Sequence, residues 1–234
     1  MAFSHGSRSR LNPRMLPHFA GDSLFARLAR AVCEAECLPR KELYEAWEVA
    51  RRTRRWFRGG RVVDAAAGHG LLAMVMLLLD DSSPEAICVD PHAPASADRL
   101  VTVLCQHWPR LAGRVQYVAQ PLQTIPLQST DVIVSAHACG RLTDVVLERA
   151  VQVRARVAVL PCCHDLDRAD RGGLDGWLDG PLAVDAVRAI ELRRHGYRVR
   201  TQTIPTAITP QNRLLMGEPN EVGEHYLELS SGIS

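Results

Sequence analysis

The chain has 234 residues and a mass of 25.8 kDa, and 47% of its residues are hydrophobic. This suffices for one globular domain with extensions and limits any second domain to a small cap. The net charge of +2 excludes a polycation, and the longest apolar run, residues 71–79, is too short to cross a bilayer, so no membrane partner is expected. Seven cysteines without a secretory signal predict a reducing, cytoplasmic location.

Three regions are predicted along the chain. They are a helical arm and cap over residues 1–58, the main domain over 59–220 and a tail over 221–234. Residues 1–61 contain 13 Lys/Arg and 6 Asp/Glu, a net charge of +7, whereas the remainder carries −5. This asymmetry indicates a polyanionic partner near the N-terminal part.

The N-terminal region contains two predicted helices. Residues 1–20 are polar, contain two prolines and are expected to form a loose arm. Asp22 and Ser23 can cap the first helix, which Pro39 stops. The second helix is predicted over residues 41–57 from its apolar stripe.

Four arginines crowd the end of this second helix: Arg51, Arg52, Arg54 and Arg55. They form either a solvated face that favours the helix dipole or a phosphate-binding ridge for RNA. Because 27 of the 28 basic residues are arginine, their abundance alone does not indicate an RNA partner.

A strand, a glycine turn and a helix follow. Residues 62–63 form a short apolar strand that Asp64 closes, Gly68 and Gly70 form the turn, and residues 71–79 form a very apolar helix. The glycines allow a ligand to approach the backbone, and the helix N-terminus offers free N–H groups. This arrangement predicts a nucleotide-type pocket, the alternative being a turn that holds no ligand.

Asp64 decides between two cofactors for this pocket. Residues 68–73 fit the dinucleotide pattern G-x-G-x-x-A, and Asp90 lies 20 residues beyond Gly70 as that pattern expects. However, a carboxylate at Asp64 would repel a pyrophosphate at the helix N-terminus. S-adenosylmethionine has no phosphate and carries a positive ammonium and a positive sulfonium. The segment resembles motif I of the class I methyltransferases, with Ala66 where a further glycine is usual.

The remaining elements alternate between strands and helices. Strands are predicted over 86–90, 115–119, 131–135, 155–160, 197–204 and 213–216, and helices over 95–108, 142–151 and 185–194. In the last helix, Val187 and Ile190 are expected to face inward. The pattern predicts an α/β fold with a doubly wound, mostly parallel, seven-stranded Rossmann-like sheet and a helical N-terminal cap.

Residues at the carboxyl ends of these strands are the predicted cofactor contacts. Asp64 and the glycines would hold the methionyl part of S-adenosylmethionine, Asp90 the ribose, and Gln120 the adenine edge. The full predicted set is Asp64, Ala65, Ala66, Gly68, Gly70, Asp90, Pro91, His92, Gln120, Ser135 and His137.

Two further segments, residues 135–140 and 161–164, contain cysteines and histidines at adjacent strand ends. In one interpretation they shape the pocket, with His137 first and His164 second as catalytic residues. In another, Cys139, Cys162, Cys163 and His164 bind zinc, although adjacent cysteines lack the usual ligand spacing. In a third, they are structural. We adopt the first and expect no metal; the predicted acceptor contacts are Cys139, Cys162, Cys163, Asn212 and Arg213.

The same segments carry a family resemblance. Ala136-His137-Ala138-Cys139-Gly140, followed by Thr143-Asp144, and Cys162-Cys163-His164 resemble the paired signatures of one methyltransferase group. That group includes tRNA acceptor-stem ribose 2′-O-methyltransferases, the C-terminal domain of a glutathione S-transferase-like protein, and proteins resembling ribosomal RNA adenine dimethylases. The lysine that precedes the histidine in the tRNA enzymes is absent here, as are their N-terminal zinc modules.

The resemblance implies an S-adenosylmethionine-dependent methyltransferase with an unidentified RNA, protein or small-molecule acceptor. The strand over 131–135 is not followed by an Asn/Asp-Pro-Pro-Tyr motif, which disfavours methylation of a base amino group. Two alternatives are an NAD(P)-dependent oxidoreductase and a non-catalytic module that binds S-adenosylmethionine.

Overall fold

The structure is a computed structural model that describes residues 3–220. Its centre is one seven-stranded sheet with the order β3-β2-β1-β4-β5-β7-β6. The strands are β1 (Val62–Ala65), β2 (Ala86–Val89), β3 (Val115–Val118), β4 (Val132–Ser135), β5 (Arg156–Val159), β6 (Tyr197–Thr203) and β7 (Arg213–Pro219).

The first five strands are all parallel, and β7 alone runs against its neighbours β5 and β6. The predicted doubly wound, mostly parallel sheet is therefore confirmed. Because β6 runs in the same direction as β5, the β6–β7 connection turns at the edge of the sheet where the parallel strands end. We call this edge the carboxyl rim.

Helices cover both faces of the sheet. They are α1 (Leu24–Ala35), α2 (Arg40–Thr53), α3 (Leu71–Leu79), α4 (Ala97–His107), α5 (Arg141–Val153) and α6 (Gly180–Arg194). One buried cluster joins α1–α4 to Val62 of β1, and a second joins α5 and α6 to Val63. Successive strand residues point to opposite faces, so these two valines begin the two halves of the core.

The N-terminal segment is packed against the domain, and the expectation of a loose arm is wrong. Pro13–His18 form a short 3-10 helix, and the flanking Leu11 and Phe19 are 0% and 4% exposed. Arg10 also forms a β-bridge with Pro39. Burial of these two apolar side chains stabilises the packed segment, although most of its residues are polar.

The predicted orientation of the last helix is wrong at Ile190, whereas Val187 is half-buried. Ile190 is 48% exposed, and Arg188 is buried in its place. The cause is a pair of carboxylates: the Arg188 guanidinium lies 2.7 Å from Asp144 and 3.3 Å from Asp185. A buried guanidinium needs such partners, and placing it inward rotates Ile190 towards solvent.

Within residues 3–220, no helix combines the length and apolarity needed to cross a membrane. The predicted tail over residues 221–234 lies outside the described residues.

Candidate functional site

The glycine turn joins β1 to α3 at the carboxyl rim. Ala66, Gly68 and Gly70 all have positive φ angles, of 58°, 51° and 72°. A Cβ on Gly70 would lie 2.7 Å from the Cys88 sulfur and against the Tyr117 hydroxyl. Gly70 is therefore required by packing as well as by backbone conformation. At Ala66 the left-handed backbone costs about 1–2 kcal/mol.

Two carboxylates hold this turn. Asp64 is buried at the end of β1, and its Oδ2 accepts a hydrogen bond from the Ala73 N–H at 3.1 Å. Asp90 follows β2, and its two oxygens accept bonds from the Gly68 N–H at 3.0 Å and the His92 N–H at 2.9 Å. Asp90 thus links the glycine turn to the loop after β2.

The other predicted cofactor contacts lie along the same rim. Pro91 and His92 are exposed beside Asp90, and Gln120 is exposed after β3, where its Oε1 accepts a bond from Thr124 Oγ1 at 3.3 Å. Ala65 is the last residue of β1. The adjacent order of β3, β2 and β1 brings these positions together as predicted; their contacts with a ligand stay predictions.

Ser135 is buried and bonded within the protein. Its hydroxyl donates to the Ala65 carbonyl at 2.6 Å and accepts from the Ala138 N–H at 3.1 Å. The hydroxyl proton therefore takes part in a hydrogen bond to β1. Ser135 thus connects the segment that follows β4 to the end of β1 through hydrogen bonds.

A small cavity of roughly 20 Å³ lies between the glycine turn, the exit of β4 and α2. It is lined by polar groups of Glu42, Asp64, His69 and His137. This volume holds about one water molecule. A nucleoside ligand needs several hundred Å³, so this cavity can hold only a small part of one, and the exposed rim beside Asp90 and Gln120 lies outside it.

The carboxyl groups around this cavity favour a cation. Burial, with a smaller contribution from the charge on Asp90, raises the pKa of Asp64 to about 7. Burial and the neighbouring Glu45 raise the pKa of Glu42 to about 7, against the opposing charge of Lys41. A bound cation would stabilise both carboxylates and restore ordinary pKa values.

His137 borders this cavity and is 39% exposed at its side chain. Burial against its neighbours and the charge of Lys41 lower its pKa, so the ring is neutral at pH 7. Its Nε2 lies 3.9 Å from the Glu45 carboxylate, too far for a hydrogen bond. A neutral, partly open imidazole can accept a proton from a nucleophile.

His164 has a different environment from the one predicted. Its side chain is 2% exposed, and its Nε2 lies 2.8 Å from the Asp185 Oδ1 on α6. The other oxygen of Asp185 accepts a bond from the Arg213 Nε at 2.7 Å. His164 is therefore buried in an ion-pair network, and the prediction of a catalytic role for it has no support in this geometry.

The predicted acceptor contacts at the hairpin also have internal partners. Arg213 is paired with Asp185, and the Asn212 side-chain amide donates to the Ile204 carbonyl at 2.7 Å across the hairpin. Contact of either side chain with an acceptor stays a prediction.

The three cysteines from the two rim segments come together. The sulfurs of Cys139 and Cys162 are 2.9 Å apart, and those of Cys139, Cys162 and Cys163 all lie within 4.8 Å of one another. Burial raises the pKa of the Cys139 thiol and, with the neighbouring thiols, that of Cys162. His164, bonded to Asp185, is separate from this group.

One of the four arginines at the end of α2 does not lie on the surface. Arg54 is 2% exposed and bonds to Ser83, Asp80 and the Met76 carbonyl. It stabilises the junction between α2 and the end of α3 and is unavailable to a phosphate. The end of α3 faces away from the carboxyl rim, because α3 begins at the rim with Leu71.

Three residues of the site were not identified from the sequence. Glu42 and His69 line the cavity, and Asp185 organises the network around His164. Glu42 had a usable signal, since Glu42, Glu45 and Glu48 recur every three residues along one helix. Asp185 had no such signal, because its partners His164 and Arg213 are distant in the sequence.

The comparisons with known proteins match this geometry. The model of a family described as "Methyltransferase domain" matches residues 42–168, which is more than half of the chain. The chain belongs to this methyltransferase-domain family. The matched range includes the glycine turn, Asp90, and the two rim segments with their histidines and cysteines.

Solved methyltransferase structures share the fold. An O-methyltransferase family protein from Burkholderia thailandensis is 19% identical over 92% of this chain and 66% of its own, with a TM-score of 0.53. A candidate O-methyltransferase from Nostoc punctiforme PCC 73102 is 16% identical over 82% of this chain and 59% of its own, with a TM-score of 0.51. This methyltransferase-domain chain thus spans at most about two thirds of their length. The comparison with curated proteins gave no match.

Proposed function

We propose that the chain transfers a methyl group from S-adenosylmethionine to an acceptor. The observation that carries the proposal is the pair of carboxyls beside the glycine turn, the buried Asp64 and the half-buried Glu42, each with a pKa raised to about 7. Their site suits a ligand that brings positive charge, as the ammonium and sulfonium of S-adenosylmethionine do. A dinucleotide would bring a pyrophosphate to the same place, where the carboxyls would repel it.

Membership of the methyltransferase-domain family supports the same cofactor. We propose that Asp64, Gly68 and Gly70 surround its methionyl part and that Asp90 and Gln120 contact its ribose and adenine. The support is their alignment at the ends of three adjacent strands. When bound, the cofactor supplies an electrophilic methyl group, and the chain's contribution is to orient the acceptor in line with it.

Calorimetric titration tests the cofactor. We expect S-adenosylhomocysteine to bind the wild-type chain and NADH not to bind. Asp64→Asn keeps an acceptor for the Ala73 N–H but removes the charge, so S-adenosylmethionine should bind at least about 10-fold more weakly. Asp167→Asn, at an exposed carboxyl, is the control and should bind normally. Binding of NADH alone would establish the oxidoreductase alternative instead.

We propose His137 as the residue that accepts the acceptor's proton, on the basis of its neutral, partly exposed ring and its position at the cavity. Radiolabelled methyl transfer into RNA, protein and metabolite fractions identifies the acceptor first. With that acceptor, His137→Asn should lower kcat about 100-fold, a larger factor than any change in S-adenosylhomocysteine affinity. Full turnover by this variant would remove the role, and no transfer to any fraction would favour the non-catalytic module.

We propose RNA as the partner and Arg51, Arg52 and Arg55 as the residues that contact it. Arg54 is left out of this set because it is buried. Glu48 is paired with both Arg51 and Arg52, and Arg55 is exposed.

We also propose a cytoplasmic location, supported by seven cysteines that are all free thiols. Fractionation of cells that express a tagged full chain tests the location, and recovery from an oxidising compartment would contradict it.

A further inference from the structure

The strongest unexplained feature is the group formed by Cys139, Cys162 and Cys163, here called the three-cysteine cluster. Each residue offers one sulfur, and the three sulfurs lie within 4.8 Å of one another. Within residues 3–220, no other group of Cys, His, Asp and Glu side chains converges in this way. The proposed methyl transfer does not require three thiols at this place.

The backbone holds the cluster in position. Parallel pairing of β4 with β5 aligns Ser135 with Val159, so both cysteine segments leave the sheet side by side at the carboxyl rim. The Gly140 N–H then donates to the Cys163 carbonyl at 3.2 Å and joins the two segments. On the Cys139 side, the Thr143 hydroxyl donates to the Ala138 carbonyl at 2.5 Å. The sulfurs are thus brought together by hydrogen bonds that do not involve the thiols.

The spacing of the sulfurs is close to that of a thiolate metal site. A tetrahedral zinc ion with Zn–S bonds of about 2.3 Å places its sulfurs about 3.8 Å apart. Cys139 and Cys162 would separate from 2.9 Å to that distance, a movement of about 1 Å. A disulfide would use only two of the thiols and would leave Cys163 without a function. The convergence of three therefore favours a metal ion.

His164 does not supply a fourth ligand, because neither of its ring nitrogens lies within 4.8 Å of all three sulfurs. Cys139 and Cys163 are exposed, so the side of the cluster away from the protein faces solvent. Three protein ligands with one open position are the arrangement of catalytic zinc, whereas structural zinc is closed by four.

We propose that Cys139, Cys162 and Cys163 bind one zinc ion as thiolates and leave its fourth position open at the carboxyl rim. Binding releases the thiol protons to solvent and forms three Zn–S bonds, with no change in oxidation state.

The test measures metal directly in the full chain. The protein is purified under reducing, anaerobic conditions, loaded with Zn²⁺, passed through a desalting column and measured for zinc per chain. Co²⁺ loading adds a spectroscopic readout, since thiolate-to-cobalt charge-transfer absorption reports sulfur ligands. We expect one zinc per wild-type chain and strong charge-transfer absorption.

Single variants Cys139→Ser, Cys162→Ser and Cys163→Ser should each weaken zinc binding at least about 10-fold. The matched control is Cys105→Ser, a partly buried free cysteine on α4 that should leave zinc binding unchanged. Far-UV circular dichroism and thermal unfolding of each variant show whether it is folded. Where Cys162→Ser does not fold, the more exposed Cys163→Ser provides the test.

Two results would overturn the proposal. One is equal zinc content in the wild-type chain and in a folded triple-serine variant. The other is a Cys139–Cys162 disulfide in protein prepared without oxidant, which would make the cluster a redox pair. Neither measurement uses methyl transfer, so failure of the zinc proposal is distinct from failure of the proposed function.

Discussion

The carboxyl rim has two sides that are built differently. On the glycine-turn side, around Asp64 and Asp90, carboxylates accept hydrogen bonds from backbone N–H groups of the adjoining turn and helix. On the cysteine side, around Cys139 and His164, side chains of the segments that follow β4 and β5 contact one another and side chains of α6 and β7, in addition to the backbone bond between the two segments. The first side is formed by one strand–turn–helix unit and the end of the neighbouring strand β2, and the second requires α6 and β7 to pack against the ends of β4 and β5.

The electrostatics of the two sides also differ. Asp64 is buried without a cationic partner, and its pKa is raised. Burial acts on Asp185 in the same direction, but bonds from His164 and Arg213 outweigh it and lower its pKa. The glycine-turn side therefore requires a positive ligand, whereas the network on the cysteine side is satisfied by the protein itself.

The largest expected effect is on the cysteine side. Asp185→Asn removes the charge that pairs with Arg213 and His164, and we expect the free energy of unfolding to fall by about 3 kcal/mol. The control is Glu191→Gln on the same helix, whose exposed pair with Arg194 should contribute less than about 1 kcal/mol. Urea unfolding measures both, and equal losses would show that the network is no more stabilising than a surface ion pair.

The same carboxylate predicts an acid-sensitive contribution. Because the folded-state pKa of Asp185 is lowered, its stabilising effect is present above the unfolded-state pKa and is lost as pH falls through the folded-state value. The difference in unfolding free energy between wild type and Asp185→Asn should therefore shrink in acid.

Two alanine substitutions test how strongly packing and backbone conformation each require glycine on the glycine-turn side. Gly68→Ala meets no atom within 4 Å and should cost about 1 kcal/mol for its left-handed backbone alone. Gly70→Ala adds a clash with Cys88 and Tyr117, so we expect about 2–3 kcal/mol in total. Thermal unfolding compares the two variants, and equal costs would mean that Tyr117 moves aside freely.

A smaller effect concerns pH. The folded-state pKa of Asp64 is raised, so its contribution favours the folded chain fully below the unfolded-state pKa and is lost as pH rises through about 7. Without ligand, we expect the melting temperature to fall by a few degrees between about pH 5 and 8. Asp64→Asn should flatten this slope and stabilise the apo chain at the higher pH, while Asp167→Asn should not.

The smallest expected effect tests whether arginines outside the carboxyl rim contribute to RNA binding. If RNA binds through Arg51 and Arg55, Arg55→Gln should lower the slope of log affinity against log salt by about 1 for a phosphate contact. Unchanged affinity and slope after neutralising Arg51, Arg52 and Arg55 together would remove RNA as a partner of this surface. Arg54 is left intact because its removal would destabilise the buried end of α3.

Much of the glycine-turn side is predictable from the sequence. The helix over residues 71–79 has the predicted bounds, and β1 and β2 begin at the predicted residues. The reason is that a short apolar strand, two glycines and an apolar helix are each specified by neighbours in the chain. Parallel pairing then brings Asp64 and Asp90 to one rim without further information.

The tertiary structure decided the partners of buried charges and thiols. Arg54 reads as part of a surface cluster, yet it is buried because Asp80 and Ser83 lie beneath it. His164 reads as catalytic, yet Asp185, 21 residues away, binds it inside the protein. Sequence patterning reports which face of an element is apolar, but whether a charged side chain finds a partner depends on elements far along the chain.

The sequence by itself determined the order of strands and helices, the glycine turn with its acidic strand end, and the resemblance to methyltransferases. Only the tertiary structure decided that three cysteines converge while the adjacent histidine turns away to Asp185. The segment over 161–164 has no regular secondary structure, so no local periodicity sets where its side chains point. Which of them faces the rim is fixed by strand register and by the packing of α6, and neither is encoded in the local residues.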